Sequence, residues 1–515
     1  MARDDDRFSW HPEPALLDFR DPAQARPALE TLGLEAWSAC LDYLYGEAMR
    51  RAIGPDSYPE LRRRLFDGGK VAAAPVNPRS SVDVLREFRT RLAPVQFNCQ
   101  HPRAFSYFTP PPLPMSIVGE LLAQWINQGV DVWHAGPSAA LVEEEVGRWL
   151  CDLVRAGPES WGILTSGGVM ANVMALAVVR DVHLRGLRGD ASVPRGRALE
   201  GVRVYASDQA HFSVARGLEL LGFPSETLRL VASDDRFRLH AAPVAAALAE
   251  DRARGLVPLA IAAVAGSTNT GSVDLVPELA DLASREGLWL HVDAAYGGGA
   301  LLSARDAGRV PGLDRADSVT IDPHKWFFQA YDIGALVVKR REFLPATFHR
   351  APEYYRSSRP EDEPLNWYQY SFEGTRRFRA LKLWLSWKHL GTDGLGRLIE
   401  ANDDLAAHLA RRCGDSEDFE AVPDEPELSV VCFRHLPQGR DRAARLDPEA
   451  IDRYQDRLQR ALEVSGDGWL STTRLRGRTY LRAGIVNYMS TEADVDQLLA
   501  TLRRLSSAAA AAAGL

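Results

Sequence analysis

The chain has 515 residues, 46% of them hydrophobic and 25% charged, with a formal net charge of −8. That length exceeds one simple core and points to two or three domains, and the negative balance offers nothing for nucleic acid or an anionic membrane. The five cysteines (Cys40, Cys99, Cys151, Cys413, Cys432) are scattered, with no CxxC and no Cys/His ligand spacing, so neither a disulfide framework nor a metal site is expected.

The acidic start, Met1-Ala2-Arg3-Asp4-Asp5-Asp6, lacks the apolar stretch of a signal peptide. No apolar run is long enough to span a bilayer. A soluble, cytoplasmic protein is therefore expected. Residues 1–112 hold short amphipathic runs among Pro and Arg. The clearest is a predicted helix over 32–50, with Leu34, Trp37, Leu41, Leu44 and Tyr45 on one side. This N-terminal helical segment is short and apolar enough to lie on a partner subunit.

Between 113 and 385 strand-like and helix-like runs alternate. Strands are predicted over 161–165, 202–207, 227–231, 257–265, 288–293, 318–321 and 333–338. Helices are predicted over 169–184, 212–221, 241–254 and 277–286. Such alternation indicates an α/β domain built on a mostly parallel sheet, in which ligands bind beyond the C-terminal strand ends. From 386 to 515 the pattern is that of a small α+β domain, with strands over 428–433 and 479–485 and a closing helix over 492–505. The alanine run 508–513 reads as a frayed helix end.

The chemistry-bearing residues sit at those strand ends. Asp293 follows the run Leu288-Trp289-Leu290-His291-Val292, and Ala294, Ala295 and Gly297-Gly298-Gly299 come after it. A carboxylate in such an apolar setting needs a cationic partner. Lys325 lies in Asp322-Pro323-His324-Lys325-Trp326, ahead of Phe327 and Phe328. A lone lysine is ordinarily a solvated surface charge, but this context is too apolar for one. A strand-end acid and a lysine past a second strand are what pyridoxal phosphate (PLP) requires. The lysine forms the Schiff base, and the acid keeps the pyridine nitrogen protonated.

Thr165-Ser166-Gly167-Gly168 opens the helix that contains Asn172, leaving backbone N–H groups for a phosphate. His211, past the strand ending at Ser207, either stacks on a cofactor ring and handles protons or caps a helix. Thr268, in Gly266-Ser267-Thr268-Asn269-Thr270-Gly271, either bonds the cofactor or caps the turn. His291 points to the same side as Asp293 and either supports it or packs in the core.

Together, HPRAFSYFTP (101–110), LTSGGVMAN (164–172), YASDQAHFS (205–213), GSTNTGSVD (266–274), LHVDAAYGG (290–298), DPHKW (322–326), RRFRALKLW (376–384) and LRAGIVNYMSTEADVDQLL (481–499) resemble the group II PLP-dependent amino acid decarboxylases, of the aromatic-L-amino-acid decarboxylase kind. The similarity runs in order from about 80 to 505. It implies the PLP-dependent transferase fold of type I, with an N-terminal segment (1–112) interlocking a homodimer, a large PLP-binding domain (113–385) and a small C-terminal domain (386–515). It implies that Lys325 is the Schiff-base lysine and Asp293 the pyridinium partner. His211 would stack on one ring face and Ala295 on the other. Ser166, Gly167, Gly168 and His324 would surround the phosphate, with Thr268 near cofactor and substrate. Tyr354 matches the catalytic tyrosine of a mobile loop, with Tyr355 as the fallback. Tyr107 and Phe108 match the aromatic wall of the substrate pocket.

The sequence departs from the animal aromatic enzymes in three places. Asp322 stands where they usually have Asn, and an acid beside a phosphate must turn away or pair with a cation. Asp131 falls near a position that those enzymes give to a pocket aromatic, and the loop 356–366 is charged and contains proline. The expected reaction is α-decarboxylation of an L-amino acid, aromatic by best match. The rivals are oxidative decarboxylation-deamination to an aldehyde and carbon–carbon lyase or aldolase chemistry on the same fold.

Overall fold

A computed structural model describes residues 8–54, 56–188, 195–350, 353 and 365–514. Two compact units emerge. One comprises residues 1–107, 435–481 and 489–515, and the other 108–434 and 482–488. The candidate chemistry lies in the second unit.

That unit is organised by seven strands, β1 (Trp161–Thr165), β2 (Val202–Ser207), β3 (Leu228–Val231), β4 (Val257–Val264), β5 (Trp289–Asp293), β6 (Ser318–Ile321) and β7 (Gly334–Val338). Their order across the sheet is β1-β7-β6-β5-β4-β2-β3. The predicted strands all form, within one or two residues of their expected bounds. The central ones are apolar along their length because helices cover both faces. Val292, Ile261, Ala263 and Ile321 have no solvent exposure, and each large aliphatic side chain buried this way contributes about 1.5–3 kcal/mol.

Five strands, β2 to β6, run parallel. β7 runs antiparallel to both its neighbours, β6 and β1. The reason lies in the connection. No helix separates β6 from β7, and a parallel return needs a crossover, whereas a compact loop reverses the chain. That loop carries Lys325. Gly334, the first residue of β7, pairs with Thr165 at the end of β1, and Ala335 pairs with Ile321 at the end of β6. The loop after β1 and the loop after β6 therefore meet at one edge.

The other unit contains the helices Pro22–Asp42, Pro448–Ser465 and Glu492–Ala513. The first begins ten residues before the predicted helix, because Asp21 caps it by accepting from the Ala23 N–H and Pro22 occupies the first turn. Its predicted apolar side is solvent-facing in the single chain, with Leu34 71% and Trp37 54% exposed. The alanine run expected as a frayed end is instead the last part of the helix Glu492–Ala513, with Ala509 and Ala513 buried. In that unit β10 (Ser471–Leu475) lies beside β11 (Arg478–Gly484), while β8 (Phe419–Val422) lies beside β9 (Val430–His435) in the unit that holds the larger sheet. No helix among the described residues is long and apolar enough to cross a membrane.

Candidate active site

A cavity of about 360 Å³ opens beyond the C-terminal ends of β1, β2, β4, β5 and β6. Ser166, Gly167, Gly168, His211, Thr268, Asp293, Ala295, His324 and Lys325 all line it. They come from five separate chain segments that only the sheet brings together. Asn172, Tyr296 and Asp322 complete much of the wall.

The register explains why Asp293 sits where it does. Val264, Asp293 and Thr320 are neighbours across β4, β5 and β6, so the carboxylate marks the common end of three strands. It is 6% exposed. Its Oδ1 accepts from the Ala295 N–H at 3.1 Å, and its Oδ2 accepts from Asn172 Nδ2 at 2.7 Å. Both oxygens take donors, an arrangement suited to the ionised form. His291 is buried but does not reach Asp293 directly. Its Nε2 bonds Asn172 Oδ1 at 3.0 Å and its Nδ1 bonds Ser318 Oγ at 2.9 Å. Both readings left open for His291 thus hold in part: it is a packed core histidine that steadies the residue holding Asp293.

Lys325 extends into the cavity, with its Nζ 3.0 Å from Asp322 Oδ2. Burial opposes the ammonium charge, but the carboxylates of Asp322 and Asp293 outweigh it and hold the lysine above its ordinary pKa. This ion pair answers how an acid is tolerated at 322. Asp322 is 3% exposed, and its Oδ1 has no hydrogen-bond partner in the structure. His324 Nε2 stands 3.6 Å from the same Oδ2. Burial, more than any neighbour, keeps His324 below the ordinary imidazole value.

The turn after β1 is tied by Thr165, whose Oγ1 donates to the Gly167 carbonyl at 3.1 Å and accepts from the Gly167 N–H at 3.3 Å. The helix Gly168–Val178 starts there, so its unpaired N–H groups face the cavity, a favourable place for an anion. Close approach dictates glycine. A Cβ on Gly168 would lie 2.7 Å from Asp322 Oδ2, and one on Gly334 would lie 2.5 Å from the Gly167 Cα.

His211 Nδ1 bonds Ser213 Oγ at 2.8 Å. Burial lowers its pKa, only partly offset by the negative charge of Asp293. The Thr268 carbonyl accepts from Arg482 Nε at 2.7 Å. Phe108 is not on the cavity wall. It stacks on Tyr296 at 4.1 Å between ring centroids, and Tyr296, which does line the cavity, stacks in turn on Trp326 at 4.7 Å. Tyr107 belongs to the other unit and packs its edge on Trp469 there. Asp131 does not line this cavity, and its carbonyl accepts from the Tyr368 N–H. Tyr354 and Tyr355 lie outside the described residues.

Sequence reasoning named Asn172 only as a helix residue. It bonds Asp293, His291, Ser213 and Thr320. The available signal was an amide inside the otherwise apolar helix GVMANVMALAV, four residues after Gly168 and so on the same face.

The residues present fit PLP. The cavity offers a lysine amine, a carboxylate held by two donors, and a helix N-terminus where Gly168 leaves no room for a Cβ. Residues 61–436 match the model of the pyridoxal-dependent decarboxylase conserved domain. The chain belongs to the pyridoxal-dependent decarboxylase family. This decarboxylase is a PLP-dependent carboxy-lyase acting on an amino acid. It is 33% identical to an aromatic-L-amino-acid decarboxylase of Bacillus atrophaeus over 79% of this chain and 81% of that one. It is also 33% identical to an L-2,4-diaminobutyrate decarboxylase of Rhizobium meliloti over 78% and 77%. Its fold matches that of Oryza sativa TDC solved with PLP and tryptamine, with a TM-score of 0.85, 25% identity, and coverage of 95% of this chain and 99% of that one.

Proposed function

We propose that this decarboxylase converts an aromatic L-amino acid to the corresponding amine and CO2. The observation that carries the reading is the pairing, in one cavity, of the Lys325 amine with an Asp293 carboxylate that accepts from Asn172. The substrate class is supported by Tyr296 on the wall, backed by Phe108 and Trp326, and by the relative named for aromatic amino acids.

Bound PLP supplies an electron sink for the pair left on Cα when the carboxylate departs. The residues set the stage for that. Ser166, Gly167, Gly168 and His324 would hold its phosphate, and Ala295 and His211 would flank its ring. Asp293, oriented by Asn172, would partner the pyridine nitrogen. Asp322 holds and orients the Lys325 ammonium. Thr268 lies beside the substrate. The reaction consumes one proton, which replaces CO2 on Cα, and the Tyr354 hydroxyl delivers it with His211 as relay. The single chain works as half of a cytoplasmic homodimer, with the N-terminal segment and its exposed Tyr107 contributing at the shared surface.

The test is product analysis. Purified holoenzyme is given phenylalanine, tyrosine, tryptophan, 2,4-diaminobutyrate, glutamate and cysteine sulfinate separately. Amine and CO2 in equal amounts from the aromatic substrates support the reading. Turnover of diaminobutyrate alone would replace the substrate class, and aldehyde with peroxide would replace the reaction.

A further inference from the structure

One amide links two of the titratable groups that line the cavity, Asp293 and, through Ser213, His211. Asn172 Nδ2 donates to Asp293 Oδ2 at 2.7 Å and to Ser213 Oγ at 2.7 Å, while its Oδ1 accepts from Thr320 Oγ1 at 2.6 Å and bonds His291 Nε2 at 3.0 Å. All four contacts are buried. A carboxylate only accepts, so Asp293 fixes which end of the amide is nitrogen. The reversed amide would set a carbonyl oxygen against a carboxylate oxygen.

The direction then propagates. Ser213 Oγ receives the amide hydrogen, so its own hydrogen is free for His211 Nδ1 at 2.8 Å. The Ser213 backbone N–H aims at the same Nδ1 at 3.3 Å. Two donors converge on Nδ1, which must be the unprotonated nitrogen of a neutral ring, and the proton sits on Nε2. On the other side, His291 Nε2 must be protonated to meet Asn172 Oδ1. Ser318 Oγ accepts from Trp289 Nε1 at 2.9 Å and turns its hydrogen to His291 Nδ1.

We infer that Asn172, through Ser213, is a positioning residue that couples the ionised Asp293 to the Nε2–H form of His211. The same amide that holds the ring-facing carboxylate thus sets which His211 nitrogen can give or take a proton. The catalytic consequence rests on the function proposed above, but the tautomer itself does not.

The experiment uses holoenzyme labelled with ¹⁵N-histidine and ring-nitrogen NMR at a pH where His211 is neutral, with the His211→Gln variant assigning the signal. The expected result is a proton on Nε2 in the native enzyme. Ser213→Ala and Asn172→Ala shift the His211 signals to a mixture of both tautomers, and Ser213→Thr, which keeps the hydroxyl, restores the native pattern. In the pH profile of kcat, the limb that moves in Ser213→Ala returns in Ser213→Thr. A proton on Nδ1 in the native enzyme overturns the proposal even if no variant folds. An unchanged tautomer in Ser213→Ala also overturns it. If the tautomer follows the variants while the decarboxylase assay is silent, the function proposed above fails and the coupling stands.

Discussion

Replacing Asp293 with Asn separates structural support from chemical support at a single side chain. In the native site each carboxylate oxygen has its own donor, the Ala295 N–H on Oδ1 and Asn172 Nδ2 on Oδ2. An amide of the same shape has only one oxygen, so one of those donors must face an NH2 group. A buried donor left unsatisfied costs about 1–3 kcal/mol, and the cofactor-free Asp293→Asn protein should lose that much stability in urea denaturation. The holoenzyme loses more. Removing one member of a buried charge pair costs about 3–5 kcal/mol, which at about 1.4 kcal/mol per tenfold lowers kcat by roughly 10²–10⁴-fold. Amine release by chromatography measures it. A variant with native kcat would refute the charge argument. A variant with native stability and low kcat would refute the donor count alone.

Three further outcomes follow from the geometry. Lys325→Ala should abolish the absorbance band of the enzyme-linked cofactor, and an unchanged spectrum would remove Lys325 from its role. Gly168→Ala places a Cβ 2.7 Å from Asp322 Oδ2; overpacking at such a site costs about 1–3 kcal/mol, so PLP affinity measured by reconstitution should fall roughly 5- to 150-fold, and native affinity would contradict the close packing. His101 is 2% exposed, and burial, helped by Arg103, pushes its pKa down to about 4. The unfolded chain therefore binds the proton first as pH falls below about 6.5, so stability is full above that value and is lost between there and about 4. At pH 5 the loss is about 2 kcal/mol, and denaturation midpoints should fall less in His101→Gln than in the native protein.

The strands were legible because their apolar runs are short and bounded by turn residues, and the site residues were legible because each follows such a run. Two things were not. β7 looked like any other strand, since its direction is set by the absence of a crossover helix, a feature of the connection and not of the strand. Asn172 looked like a helix interruption, because its four partners come from three other segments and meet only in the folded sheet. The start of the helix Pro22–Asp42 was missed for a different reason: hydrophobic periodicity begins later than the Asp21 cap that starts the turn.

The antiparallel β7 also dictates a sequence of events. Thr165 and Gly334 are far apart in the chain yet side by side in the sheet, and such distant pairings form late in folding. The phosphate-facing turn and the lysine loop are strangers until β7 slots between β1 and β6. A cradle that needs both loops is therefore complete only once β7 is paired on both sides.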